Sequence, residues 1–126
     1  MFNKYMSIQP KEIISTLSKE DFINCLQNNQ GAFIVKFGAE WCGPCKKIEG
    51  LVKNYMNQLP SNVTCAIIDV DDNFEIYAFF KNKKILGGIP AIFAYNKGNM
   101  NYIPDNLVIG ADETQIKLFF EKYMKI

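Results

Sequence analysis

Residues 63–70, VTCAIIDV, read as a fully buried strand, and residues 32–37, AFIVKF, as a compact β-rich run bounded by Gly31 and Gly38. Around these two strands helix and strand patterns alternate, with no linker, repeat or low-complexity block. EIIST (12–16) is a short strand candidate. Ser18 can cap a helix, with Asp21 reaching back and Phe22, Ile23 and Leu26 on its apolar side, before Asn28, Asn29 and Gly31 end it. A second helix is predicted to start near Cys42, to carry Ile48, Leu51, Val52, Tyr55 and Met56 inward, and to stop before Pro60. FEIYAFFKN (74–82) reads as a third helix. PAIFAY (90–95) and MNYI (100–103) flank Asn96-Lys97-Gly98-Asn99, a good hairpin turn. Asp112 then caps a last helix with Ile116, Phe119, Phe120 and Tyr123 on one side. This order implies an α/β sandwich, a central mixed β-sheet flanked by helices on both faces. At 126 residues the chain fits one domain spanning 1–126, able to bury a core without a disulfide or metal for stability.

Charge excludes some classes of partner. With 14 basic against 13 acidic residues the net charge is +1, which gives no broad footprint for nucleic acid or an anionic membrane. Lys81-Asn82-Lys83-Lys84 reads as a solvated loop face. The N-terminal MFNKYMSIQPKEII lacks an apolar secretory core, and no apolar stretch is long enough to span a bilayer. The expectation is a cytoplasmic, reducing setting, where a close cysteine pair is catalytic or metal-binding rather than structural.

Cys42 and Cys45 form such a pair, within FIVKFGAEWCGPCKKI (33–48). Zinc needs about four nitrogen or sulfur ligands, but the chain has no histidine and Cys25 and Cys65 stand alone. A metal site within one chain is therefore disfavoured, and a zinc site or iron–sulfur cluster shared between two chains remains the metal alternative. A permanent staple closing so small a loop constrains little of the unfolded chain. Redox chemistry suits the placement. A strand ends at Phe37 and a helix begins at the first cysteine, whose thiol pKa is lowered by the unsatisfied N–H groups and dipole of the helix start. Pro44 is tolerated in the first turn because its missing N–H has no partner there. Gly43 lets a substrate chain approach, and Cys45, one turn on, can attack a mixed disulfide.

Trp41-Cys42-Gly43-Pro44-Cys45, preceded by Ala39-Glu40 and followed by Lys46, resembles the active site of the thioredoxin family. Gly88-Ile89-Pro90 stands where thioredoxins place a cis-proline beside the dithiol, and Gly110-Ala111 where they place the Gly-Ala of the substrate groove. The likeness runs from about residue 10 to the C-terminus. It implies the thioredoxin fold and a protein-disulfide reductase with no bound cofactor. Its redox-active disulfide would be Cys42–Cys45, recharged from NADPH by a thioredoxin reductase. The partners implied are protein disulfides and that reductase, with the chain acting as a monomer. By the same resemblance Cys42 is the attacking thiolate and Cys45 the resolving thiol. Trp41 is a flat apolar wall, and Pro44 keeps the dithiol strongly reducing. Ile89, before cis-Pro90, offers backbone hydrogen bonds to an extended substrate. The rival reading is a thioredoxin-fold adaptor in which redox catalysis is secondary.

The departures bear on that rivalry. Lys36 stands in the strand where thioredoxins usually carry a buried aspartate, and Ile67 where the next strand often has a facing lysine. An unpaired buried ammonium is costly, so the amine is either lowered in pKa or carried outward on its stem. If it lies near Cys45, a charged Lys36 would favour thiolates and make the disulfide more oxidising, whereas a neutral one could serve as a base. Gly38 replaces the family's first aromatic residue, Gly50 a helix-kinking proline, and Ala91 the threonine after the cis-proline. Extra residues in FFKNKKILG and NYIPDNLVI would flank the groove. Cys25 and Cys65 read as buried small hydrophobes.

Overall fold

The computed structural model describes residues 11–126; the reading of residues 1–10 as carrying no secretory segment lies outside the described residues. Ten elements follow one another: β1 (Ile13–Ile14), α1 (Lys19–Gln27), β2 (Ala32–Gly38), α2 (Gly43–Lys47), α3 (Glu49–Gln58), β3 (Val63–Asp69), α4 (Phe74–Asn82), β4 (Ala91–Asn96), β5 (Asn106–Ile109) and α5 (Glu113–Glu121). The five strands form one mixed sheet in the order β1-β3-β2-β4-β5. β1 and β2 run parallel to β3, while β4 is antiparallel to both β2 and β5.

β2 lies at the centre of this order, and every one of its residues is buried. That explains its apolar run, interrupted only by Lys36, since a strand covered on both faces has no solvent side to mark with polar residues. Its side chains divide the interior. Phe33, Val35 and Phe37 join Phe22, Ile76, Phe80 and Phe93 under α1 and α4. Ala32 and Ile34 join Ile48, Val52, Met56, Ile116 and Phe120 under α3 and α5. The first core is built on Phe80, whose ring meets Phe22, Phe37 and Phe93 edge-on at 5.2, 5.6 and 5.4 Å. Such contacts add about 0.5–1.5 kcal/mol each beyond the area they bury.

Local chemistry sets the helix starts. Ser18 Oγ accepts from the Asp21 N–H, and Asp21 Oδ2 accepts from the Ser18 N–H, both at 3.0 Å, so the capping box is closed. Asp112 Oδ1 accepts from the Gln115 N–H at 3.0 Å to start α5. Asn73 ties the turn before α4 to the segment before α1: its Oδ1 accepts from the Leu17 N–H at 2.9 Å, and its Nδ2 donates to the Asp69 and Ser15 carbonyls.

Two expectations need correction. The single helix from Cys42 to Pro60 is broken at Ile48 (φ −101°, ψ 2°), which ends α2 and starts α3. Gly50, costing a helix about 1 kcal/mol relative to alanine, lies just past the break. The second correction concerns MNYI, which is not the return strand of the hairpin. The turn forms, with the Asn99 N–H donating to the Asn96 carbonyl, but the strand that pairs with β4 is Asn106–Ile109. Polar side chains capture the intervening backbone. Asn99 Oδ1 accepts from the Asn101 N–H, Asn101 Oδ1 from the Ile103 N–H, and Asp105 Oδ2 from the Asn96 N–H at 2.7 Å. Asx side chains compete with ladder bonds in this way, and Pro104 has no N–H to give to a ladder.

Candidate active site

The chain leaves β2 at Gly38 and enters α2 at Gly43, so Cys42 falls at the helix N-cap over the end of the central strand. Cys42 and Cys45 are joined in a disulfide with their Cα atoms 5.2 Å apart. The Cys45 backbone N–H donates to Cys42 Sγ at 3.2 Å. A donor held on that sulfur favours the thiolate once the bond is reduced. Among the described residues no three cysteine, aspartate or glutamate side chains group as a metal-ligand set.

Distant segments converge on this turn. The Ile89–Pro90 peptide bond is cis, and the Ile89 carbonyl oxygen lies 3.9 Å from Cys42 Sγ. The Gly110 N–H donates to the Pro90 carbonyl at 2.8 Å. Gly110 holds a φ of +103°, a backbone region that side chains disfavour, so glycine suits this junction. Ala111 follows it directly, partly buried against the core beneath α3 and α5. Trp41 is 70% exposed, a large apolar face left in solvent beside the disulfide. Its indole N–H donates to Asp71 Oδ2 at 2.8 Å, fixing the ring against the loop after β3. Gly43 has nothing within 4 Å of where a Cβ would stand, so the approach over it is open. Pro44 sits in the first turn of α2, as expected.

Lys36 is buried, 4% exposed. Its register partners are Ile67 on β3 and Ile92 on β4, so no carboxylate faces it directly across the sheet. The ion pairs among the described residues are Lys46–Glu40, Lys53–Glu49 and Lys117–Glu121, and Lys36 is in none of them. Burial lowers its pKa from the ordinary 10.5; Glu49 opposes that shift and Lys53 adds to it. Lys36 and Cys45 line one cavity of about 180 Å³. A Cβ built on Gly38 would lie 3.4 Å from Cys45 Sγ and 3.9 Å from Lys36 Cε, so both flank the space that this glycine leaves empty.

Two surface features were not singled out in the sequence: Asp71, and Phe74, which is 69% exposed at the start of α4. The acidic pair Asp71-Asp72 after a buried strand is the available signal for the first. Nothing in the helical pattern of residues 74–82 marks the second as outward-facing.

The family model for thioredoxin matches residues 13–122. The chain belongs to the thioredoxin family. Its similarity to thioredoxin 3 of Plasmodium falciparum (isolate 3D7) is 31% identity over 112 residues, covering 89% of this chain and 58% of that protein. Its similarity to the mitochondrial thioredoxin of Mus musculus is 26% over 102 residues, covering 81% of this chain and 57% of that one. The chain thus spans less than two thirds of the length of these curated relatives. Among solved structures, the thioredoxin of Trypanosoma brucei brucei superposes with a TM-score of 0.72 at 25% identity, covering 94% of this chain and 96% of that one. The Trichomonas vaginalis thioredoxin gives 0.70 at 27% identity, with 87% and 96% covered. The thioredoxin fold expected from the sequence is the fold observed.

Proposed function

We propose that this thioredoxin-family chain reduces protein disulfides by thiol–disulfide exchange at Cys42 and Cys45. The observation that carries the reading is the Cys42–Cys45 disulfide, set beside the Ile89 carbonyl and the exposed Trp41 ring. In the reduced protein the Cys42 thiolate attacks a substrate disulfide. A Cys42–substrate bond forms, the substrate S–S bond breaks, and one substrate sulfur leaves as thiolate. Cys45 then attacks Cys42 Sγ, closing the disulfide and expelling the second substrate sulfur, so the substrate gains the two electrons the pair loses. Trp41, Ile89, cis-Pro90, Gly110 and Ala111 line the groove in this reading, with an extended substrate segment bonding the Ile89 backbone. Electrons come from NADPH through a thioredoxin reductase, and the chain works as a monomer in a reducing compartment such as the cytoplasm.

The test is insulin reduction followed by turbidity, with dithiothreitol as donor and separately with NADPH and a thioredoxin reductase. Wild type should precipitate the insulin B chain, and Cys42→Ser should reduce that rate to the uncatalysed background. Cys45→Ser should hold a substrate covalently at Cys42, detected as a mass adduct released by dithiothreitol. If Cys45→Ser retains its partners only noncovalently, the protein is an adaptor and the exchange reading is overturned.

A further inference from the structure

We propose that the pocket between α1, α4 and the loop after β4 docks a partner polypeptide, taking one large apolar side chain flanked by carboxylates. The site stands apart from the exchange chemistry proposed above. None of the residues that line it belongs to the disulfide turn or to the groove of Trp41, Ile89, Pro90, Gly110 and Ala111. Asn96 pairs with Ala32 at the start of β2, whereas the disulfide follows the end of that strand. The loop that leaves β4 therefore comes from the opposite end of the sheet.

The cavity encloses about 200 Å³. Small-molecule sites usually enclose about 300–1,000 Å³; this one is on the scale of a single aromatic or branched side chain. Phe22, Leu26 and Ile76 are buried and form its floor, while Ile23 and Met100, 48% and 54% exposed, stand at its mouth. Its remaining wall comes from the two segments of extra length. Phe79 of FFKNKKILG meets Tyr102 of NYIPDNLVI edge-on, with ring centres 5.7 Å apart. The Tyr95 hydroxyl donates to the Tyr102 carbonyl at 2.7 Å, and Asn99 and Asn101 brace the backbone on either side. The wall is thus fixed before anything binds, which spares a partner the cost of ordering it. A single anchor residue seated in such a pocket can carry most of a binding energy.

Charge at the rim selects the partner. Lys19 Nζ lies 4.6 Å from the centre of the Phe79 ring, and Lys83 Nζ lies 5.4 and 5.8 Å from the Tyr102 and Phe79 rings. Cation–π contact holds both ammonium groups over the aromatic wall of the pocket. The acidic residues of α1 and α4 are turned to other tasks or stand off it. Asp21 closes the cap of α1, Glu75 accepts from the Lys19 backbone N–H at 3.2 Å, and Glu20 does not line the pocket. Among the described residues neither lysine is in an ion pair. An apolar anchor with Asp or Glu beside it complements both the cavity and the two cations, whereas a basic or wholly apolar segment complements the cavity alone.

The test pans a displayed library of random cysteine-free heptapeptides on the oxidised full chain, so that no thiol is present to open the disulfide. Enriched sequences should share a Phe, Trp, Leu or Met with Asp or Glu on either side. A synthetic peptide of the enriched sequence, titrated into nitrogen-15-labelled protein, should shift the amides of residues 19–26, 76–83 and 100–102. Those of residues 41–45 and 89–90 should stay in place. Lys19 and Lys83 are exposed, so the double variant Lys19→Glu/Lys83→Glu should fold, and it should bind the peptide about tenfold more weakly. Raising the salt to about 0.5 M should weaken wild-type binding severalfold. No enrichment, a basic or uncharged consensus, shifts centred on residues 41–45, or equal affinity after charge reversal would each overturn the proposal. Self-association of the protein alone that is lost in Lys19→Glu/Lys83→Glu would overturn it too, because the occupant is then a second copy. So would co-sedimentation with phosphatidylglycerol vesicles in place of peptide binding, because the surface is then one for lipid.

Discussion

Lys36 has a consequence for stability. A buried amine without an ionic partner costs free energy in its charged form, and the methionine side chain has similar length without the charge. Lys36→Met should therefore raise unfolding stability at pH 7 by on the order of 1 kcal/mol, or roughly 4 °C in melting temperature for a domain of this size. The sign with pH follows from the lowered pKa. The folded state releases the Lys36 proton at lower pH than the unfolded chain, whose lysine titrates near 10.5. Wild-type stability from this group thus increases as pH rises from the lowered value toward 10.5. The advantage of methionine should be largest below that window and fade across it. Urea denaturation of both proteins at pH 6, 8 and 10 measures the difference, and a gap independent of pH would refute the assignment.

At the scale of elements, a single cap can be weighed. Ser18→Ala opens the capping box of α1 and should cost about 1 kcal/mol, read as a lower urea midpoint with an unchanged slope. That box was readable because its chemistry is local, Ser18 and Asp21 lying three residues apart. β2 and β3 were readable because mostly apolar runs leave few alternatives, although β3 is not buried throughout as expected, Thr64 being exposed; α4 kept its predicted bounds despite its aromatic content. Cys42, Cys45, Ile89-Pro90 and Gly110 were found through a motif, and the chain brings them together as that motif implies. MNYI went astray because its apolar residues suit a strand, whereas Asn99, Asn101 and Asp105 bond backbone groups that a ladder would need. The break at Ile48 was missed because the apolar spacing of residues 48–56 continues through it. Lys36 could be placed in a strand by sequence. Its proximity to Cys45 could not, because that depends on the void at Gly38 and on how α2 sits over β2.

For the whole molecule, the sheet separates what the sequence leaves unpaired. Cys25 packs with the core under α1 and α4, and Cys65 belongs to the core under α3 and α5. The two cannot bond without dismantling the sheet between them. Oxidation of the native protein should therefore form one disulfide and leave two free thiols, countable by alkylation and mass after denaturation. A four-thiol loss in the monomer would contradict the fold. The outer strands carry a different consequence. β1 is two residues long and β5 four, against seven each for β2 and β3. Each border therefore presents few unpaired backbone groups to a neighbouring molecule, while the longest apolar strands are enclosed between others. Crowding many copies together gives them little template for cross-molecular β pairing, and the segments most prone to fibril formation become available only when a molecule unfolds.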